Sequence, residues 1–330
     1  MRIWMWRGPG ACLLWPISLI FHLIVVVRRG LYRRGWLRSV RLPVPVVVVG
    51  NVFIGGTGKT PFTLWLVESL RQAGFNPGVV SRGYGASGSA LRAVLPSALA
   101  SEVGDEPLLI AQRAQCPVMV GRDRVSAAQA LLRAHPEINL IIADDGLQHY
   151  RLARTVEIVL CDTRGDGNGW LLPAGPLREP ASRPRDFTVV NAAEPAPLSP
   201  GAVRMRLEGN HAERLADRAQ KTALNTLAGS PVKIVAAAGI GHPARFFAML
   251  RSAGLAFTEL PLSDHHDFAG NPFAGITADV ILITEKDAVK CQQNNELRND
   301  PRLWVVPVTA RIDAALAEHI VEKCRGCPTA

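Results

Sequence analysis

The residues with the clearest chemical potential lie in GNVFIGGTGKTP, residues 50–61. Gly55, Gly56 and Gly58, with Thr57 among them, allow a backbone turn that points its N–H groups inward at a phosphate. Lys59 supplies a point charge for β- and γ-phosphates, and Thr60 supplies a hydroxyl for Mg2+. The generic phosphate loop, G-x-x-x-x-G-K-[ST], requires glycine at position 53, where this chain carries Phe53. That mismatch affects only the start of the turn. Pro61 fits the first helical turn, where its missing N–H would have had no partner. A purely structural glycine-rich turn is the competing reading.

Four further strings carry candidate chemistry. IIADDGLQH (141–149) has Asp144 and Asp145 at the end of an apolar run, with His149 close by; the carboxylates either organise a metal or cap a turn. GDEP (104–107) sets Asp105 and Glu106 at a helix start. There they either complement the helix dipole or face the phosphates and take a proton from an attacking hydroxyl. In SDHHDF (263–268) the adjacent histidines could serve a metal, acid–base chemistry or solvent, and are poor zinc partners without a third ligand. ITEKD (283–287) resembles a base-reading [NT]-K-x-D element, out of register. RGDGNGWLLPAGPLREP (164–180) lacks the order of a calcium loop. It reads as a substrate-shaping loop with Arg178 as a candidate for an anionic group.

These strings need elements to hold them. PVVVVG (45–50) is a β-branched run of the kind buried in parallel sheets, and residues 60–74 follow with a helical pattern. Strand-like runs at GVVSRGYG, PVMVG, INLIIADDG, VEIVLCD and FTVVNA continue the alternation, with a helix over 123–134. Such alternation predicts a doubly wound, mostly parallel α/β sheet of the P-loop NTPase type, with ligands at the carboxyl ends of its strands. A Pro/Ala-rich stretch, NAAEPAPLSPGA (191–202), suggests a junction. Beyond it VKIVAAAGI, LAFTELPL, DVILITEKD and LWVVPV predict a second, smaller α/β lobe. The expected division is an arm over 1–41, a nucleotide-binding core over 42–192 and the second lobe over 193–330.

Charge is concentrated at the N-terminus. The net charge is +9, and residues 1–41 hold eight arginines with no Asp, Glu or Lys. A nucleic-acid binder would spread its basic stripe over the folded domain, so no nucleic-acid partner is expected. The arm also holds ACLLWPISLIFHLIVVV (11–27), roughly 25 Å long as a helix at ~1.5 Å per residue. That is short for a hydrocarbon core of ~30 Å. Trp4, Trp6, Trp15 and Trp36 flank or enter it as interfacial anchors do, and the arginines suit anionic lipid headgroups. An interfacial helix, a true span and a core helix are the three readings; either membrane reading leaves the following domain in the cytoplasm. The six dispersed cysteines, including Cys324 and Cys327, read as free thiols.

Taken in order, VPVVVVGNVFIGGTGKTP, VVSRGYG, GDEPLLIA, IIADDGLQHYRLAR, GNGWLLPAGPLREP, AAAGIGHPARFF, DHHDF and ITEKDAVKC resemble the tetraacyldisaccharide 4′-kinase family, the lipid A 4′-kinases of Gram-negative bacteria. The resemblance runs from the hydrophobic arm to about residue 310. It implies ATP and Mg2+ and an inner-membrane, cytoplasm-facing enzyme held peripherally or monotopically by its N-terminal helix. The acceptor it implies is the 4′-hydroxyl of a tetraacylated glucosamine disaccharide 1-phosphate. It assigns Lys59 and Thr60 to phosphate and magnesium, Asp105 as catalytic carboxylate, and His265 rather than His266 as its partner. Asp144 and Asp145 take the Walker B-like role, while Arg82, His149 and Arg178 fall in site-lining motifs. The family's loop is a shortened GG-x-GK-[ST], so Phe53 is no departure from it. The rival reading is a membrane-tethered P-loop NTPase acting as a switch or assembly factor, for which the 164–180 loop and DHHDF have no evident use.

Overall fold

A computed structural model describes residues 2–86, 88, 90–192 and 197–326, so Cys327 and part of the expected junction, 193–196, lie outside the described residues. A short 3-10 turn (Arg2–Trp4) precedes helix α1 (Pro9–Arg33), which is followed by strand β1 (Val46–Gly50), helix α2 (Lys59–Gln72) and strand β2 (Pro77–Ser81). There follow β3 (Arg92–Ala93), α3 (Ala100–Val103), α4 (Asp105–Ala114), β4 (Val118–Val120), α5 (Arg124–Ala134) and β5 (Leu140–Asp144). The strands β6 (Val156–Asp162), β7 (Phe187–Asn191) and β8 (Ala202–Glu208) complete this part. The second lobe contains β9 (His211–Arg214), β10 (Lys221–Ala223), α6 (Leu224–Ala228), β11 (Ile234–Ala238), α7 (Pro243–Ser252) and β12 (Thr258–Pro261). It ends with β13 (Val280–Thr284), α8 (Glu285–Cys291), α9 (Asn295–Arg298) and β14 (Leu303–Val306); β15 (Thr309–Ile312) and α10 (Ala314–Arg325) close the described chain.

Nine strands form the first sheet in the order β15-β8-β7-β6-β1-β5-β2-β4-β3. Only the edge pairs, β15 with β8 and β3 with β4, are antiparallel. Strands β2 to β5 lie on one side of β1 and β6 to β8 on the other, so the topological switch point falls at β1, directly before the glycine-rich loop. Alternate side chains of β1 serve opposite faces, as the pleat requires. Val47 and Val49 join a core with Phe62, Leu66 and Leu70 of α2, with α4, and with Leu316 and Ile320 of α10. Val46 and Val48 join Val125, Ala128 and Leu131 of α5, against which Phe21 and Val25 of α1 also pack. The apolar residues of α2 recur at helical spacing because that face lies on the sheet.

The second sheet has six strands in the order β10-β9-β14-β13-β11-β12, parallel except at the β9 and β10 edge. Its two faces are covered by Phe246, Phe247 and Leu250 of α7 on one side and by Phe268, Phe273 and Cys291 on the other.

The division expected at residue 192 does not follow the sheets. β8 continues the first sheet in parallel with β7, β15 pairs β8 antiparallel with Thr309 opposite Glu208, and α10 packs in the first core. The second lobe is therefore an insertion between β8 and β15. The physical reason is that AVRMRLE is a half-exposed strand near a sheet edge, whose mixed pattern does not say which sheet it joins. Helix α1 is 25 residues long, roughly 37 Å, and one side of it is docked on the core.

This connectivity makes a prediction. A chain ending at residue 192 will show no cooperative urea transition, because β8, β15 and α10 are part of its core. A chain in which residues 209–308 are replaced by a two-residue Asn-Gly turn joining Glu208 to Thr309 will unfold cooperatively; the opposite ranking, read by circular dichroism, would refute the insertion topology.

Candidate active site

The loop after β1 begins as a strand-like segment. Arg178 donates its N–H to the Val52 carbonyl at 2.7 Å, and Ile54 donates to the Pro176 carbonyl at 2.9 Å. Phe53 is buried, with the Arg164 guanidinium 4.3 Å over its ring. The position where a generic loop carries glycine is thus an extended residue with its side chain in the core. Tight turning starts at Gly55 (φ 101°) and ends at Gly58 (φ 96°). A Cβ on Gly58 would come within 2.6 Å of the Asn191 amide nitrogen, so the close approach and the positive φ both require glycine. That amide, at the end of β7, donates to the Thr57 carbonyl at 3.1 Å. Asn51 spans the turn, donating to the Phe53 and Gly55 carbonyls and accepting from the Lys59 ammonium at 3.2 Å. The Thr57 hydroxyl is buried without a partner, and Thr60 lies in the first turn of α2.

Asp144 and Asp145, adjacent at the end of β5, have opposite environments. Asp144 is fully buried and accepts only long bonds, from Thr63 at 3.3 Å and Ser81 at 3.4 Å. Burial, followed by the charges of Glu106 and Asp145, pushes its pKa up to about 7 despite Lys59. Asp145, in the left-handed region at φ 50°, turns its carboxylate to Lys59 at 3.6 Å and to Arg178 at 3.1 Å. Burial would raise Asp145, but the Lys59 and Arg178 charges outweigh it and hold the group below the usual range.

Asp105 opens α4 and is buried at 6% exposure. One carboxylate oxygen accepts from the Glu106 N–H at 2.9 Å; the other lies 3.1 Å from Nδ1 of His265, on a loop of the second lobe. Helix α8 adds Lys290 at 3.5 Å and Lys286 at 3.9 Å, and Lys286 also bonds Glu106 at 3.0 Å. Burial would push Asp105 up, but the His265 hydrogen bond and the lysine charges bring it down to about 2. Lys286 is held above its ordinary range: burial acts against it and Glu106 and Asp105 more than compensate. His265 stands at φ 58°, its N–H bonded to the Gly239 carbonyl and its ring 5.2 Å from that of Tyr84. His266 instead accepts from the Phe268 N–H and packs on that ring, a local structural role.

The two lobes also meet above the loop. Gly241 lies close enough to Gly56 that a Cβ on it would sit 3.2 Å from the Gly56 nitrogen. Arg245 of α7 pairs with Asp162, at the end of β6, at 2.9 Å; Arg164 pairs with the same carboxylate at 2.7 Å and donates to the Gly56 carbonyl at 3.2 Å. Arg113 and Glu285 form a further ion pair between α4 and α8.

Of the other expected residues, Arg82 lines an open hollow with Tyr84 and Arg122 beside His265. Arg178 serves Asp145 and so is engaged with a carboxylate of the chain itself. His149 bonds Asp123, the N-cap of α5, at 3.2 Å. The motifs missed Lys286, Lys290, Asn51, Asn191, Asp162 and Arg245. Asp162 was within reach, since a carboxylate ending a strand of a doubly wound sheet lies at the ligand edge. Lys286 lies inside ITEKD, which resembles a base-reading element; Thr284 and Asp287 of that string instead bond each other at 2.6 Å to cap α8.

Among the described residues, no group of three or more His, Cys, Asp or Glu is arranged to hold a metal by itself. The donors nevertheless suit a divalent cation shared with phosphates: the hydroxyl of Thr60 and the carboxylates of Asp144, Asp145 and Glu106. Asp144 is raised partly because Glu106 and Asp145 are near it, a surplus of negative charge that a dication would offset. Mg2+ is held in this way, by one or two carboxylates plus substrate phosphates.

A family model described as tetraacyldisaccharide-1-P 4′-kinase matches residues 10–325. The chain is 66% identical over 330 residues to a tetraacyldisaccharide 4′-kinase of Janthinobacterium sp. (strain Marseille), covering 98% of this chain and 95% of that protein. It is 62% identical to the Herminiimonas arsenicoxydans protein of the same name, with the same coverage. Among solved structures, LpxK from Aquifex aeolicus in complex with ATP superposes with a TM-score of 0.79 at 27% identity, covering 95% of this chain and 99% of that one.

The environment of Asp144 yields a pH prediction. Its folded pKa is raised above the unfolded value, so stability is fully present below pH ~4 and is lost as pH rises through about 7. Asp144→Asn, an isostere of the protonated form, will therefore stabilise the nucleotide-free protein by about 1–3 kcal/mol at pH 8. The gain will shrink towards pH 5. Urea unfolding at both pH values checks this, and equal or reduced stability at pH 8 would contradict it.

Proposed function

The chain belongs to the tetraacyldisaccharide-1-P 4′-kinase family, and from that premise we propose how its residues divide the work of phosphorylating the 4′-hydroxyl of a tetraacylated glucosamine disaccharide 1-phosphate from ATP. Phosphoryl transfer is governed by positioning and charge neutralisation more than by covalent chemistry. The inward N–H groups of residues 55–60 hold the phosphates of ATP. Lys59 leaves Asn51 and Asp145 to engage the β- and γ-phosphates. Thr60 and the carboxylates of Asp144, Asp145 and Glu106 would hold Mg2+, which when bound offsets charge on the phosphates.

Asp105 accepts the acceptor hydroxyl's hydrogen bond and aims its oxygen at the γ-phosphorus. A carboxylate with a pKa of about 2 is a weak base, so it does not remove the proton before attack. In a loose transition state it need not, because the hydroxyl becomes strongly acidic once its oxygen has begun to bond phosphorus. The proton then passes to Asp105. His265 fixes that carboxylate's orientation. The observation that carries this reading is the Asp105–His265 contact, made across the lobe boundary beside the phosphate loop. A nucleotide switch has no use for such a dyad.

The acceptor's acyl chains keep it in a bilayer, and α1 has a surface for meeting it there. Ala11 and Ser18 are buried against the domain, the Ser18 hydroxyl bonding Leu171 and accepting from the Ala174 N–H. Leu13, Ile20 and Leu23 on the other side are 81%, 62% and 63% exposed. A helix bonded to a polar domain at its midpoint cannot cross a membrane, so α1 lies along the cytoplasmic surface of the inner membrane as a monotopic anchor. The 164–180 loop joins this anchor to the site: Trp4 donates to the Pro173 carbonyl at 2.9 Å, while Arg178 reaches Asp145.

Transfer of a radiolabelled γ-phosphate from ATP to the disaccharide 1-phosphate tests the reaction; ATP hydrolysis without labelled lipid would favour the switch. Asp105→Ala will lower kcat by about 10²–10⁴-fold with nucleotide affinity little changed, and normal turnover would remove it from this role. Leu13→Glu with Ile20→Glu will abolish vesicle flotation while leaving turnover of detergent-dispersed acceptor intact; undiminished flotation would move the membrane contact elsewhere.

A further inference from the structure

The last turns of α1 leave the domain over a groove of about 550 Å³. It is lined by Arg29, Arg33, Arg154, Arg183 and Arg185 with Tyr32 and Tyr150. Glu157, the second residue of β6, and Asp186, just before β7, also line it. Those strands run towards the phosphate loop, so the groove is at the opposite end of the nine-stranded sheet from the site of phosphoryl transfer.

Its charges do not balance. Glu157 is taken by Arg154 at 2.7 Å and Arg183 at 2.6 Å, and Arg183 also pairs with Glu179. Asp186 is taken by Lys323 at 2.8 Å. Arg29, Arg33 and Arg185 have no ion-pair partner among the described residues, and the buried Arg183 keeps an unpartnered Nε. Arg29 is one turn beyond Val25 on the docked side of α1. Like charges gathered in one groove repel unless an anion joins them. The walls are rigid: the Tyr150 ring carries the Arg28 and Arg154 guanidiniums at 5.7 and 5.5 Å and the Tyr32 ring at 5.7 Å.

We propose that this groove binds the phosphate of an anionic bilayer phospholipid, as a site separate from the acceptor's. The inference rests on the reading of α1 as a helix lying on the membrane. The apolar face of α1 on one side, and Trp36 at 75% exposure just beyond it, set the groove at headgroup depth. Arginine and tyrosine are the side chains that serve there, with apolar stems and polar ends. Held at the acceptor end by the 164–180 loop and at the far end by a headgroup, the enzyme would have one orientation on the bilayer.

Dihexanoyl-phosphatidylglycerol below its micellar concentration, titrated into the full chain by calorimetry, tests the site. Saturable binding at one site is expected, weakened about tenfold or more in Arg29→Gln with Arg185→Gln and within about twofold of wild type in Arg34→Gln with Arg38→Gln, which remove equal charge outside the groove. Arg33→Gln, solvent-facing, gives the same direction should the double variant not fold. Turnover of detergent-dispersed acceptor should be unchanged in all of them. No saturable binding, equal loss in both pairs, or inorganic phosphate binding as tightly as the lipid would each overturn the proposal. Flotation with neutral phosphatidylcholine vesicles separates the two readings. A wild type that floats without binding the short-chain lipid refutes the groove alone, and one that does not float refutes the membrane-lying helix as well.

Discussion

A buried carboxylate whose counter-charges come from another part of the fold is the constraint on which this molecule depends. Asp105 belongs to α4 of the nine-stranded domain, yet His265, Lys286 and Lys290, which keep it ionised, belong to the inserted lobe. Removing all three would leave a charge buried without compensation, which is far costlier than the net value of the ion pair itself. The lobe is therefore tied to the core at Asp105. The other contacts across the boundary, Arg245 with Asp162 and Arg113 with Glu285, point the same way. The geometry around Asp105 and the attachment of the lobes are thus one interaction.

Two neighbouring aspartates show how burial separates roles that the sequence leaves alike. Asp145 takes a left-handed backbone and reaches Lys59 and Arg178, so its charge is stabilised. Asp144 faces inward between Thr63 and Ser81, and its charge is costly until a cation arrives. A site strained in this way when empty binds its charged ligands with part of the electrostatic penalty relieved by binding itself. That is a general route to a stability lower than the fold would otherwise permit at a functional site.

Helix α1 links the same site to an exposed apolar surface. Its docked side covers the second face of the sheet through Phe21 and Val25, while its outer side keeps the apolar residues that a soluble protein would bury. Trp4, Arg7 and Trp15 hold the 164–180 loop, whose Arg178 ends at Asp145. A chain of direct contacts therefore runs from the N-terminal arm through this loop to Asp145.

Much of this was legible in the residues alone. Alternating strand and helix patterns specify a parallel sheet because local hydrophobic periodicity is a property of neighbouring residues. GGTGKT, DDG and GDEP declare their chemistry because each requires particular residue types within a few positions. Tertiary structure decided what depends on distance along the chain. It assigned β8, β15 and α10 to the first sheet, since half-exposed edge strands do not encode their partners. It separated Asp144 from Asp145, because adjacent side chains point differently and only packing says where. It also turned Lys286, inside an apparent base-reading motif, and Lys290, just beyond it, into the counter-ions of a carboxylate 181 and 185 positions away, a pairing that no local pattern records.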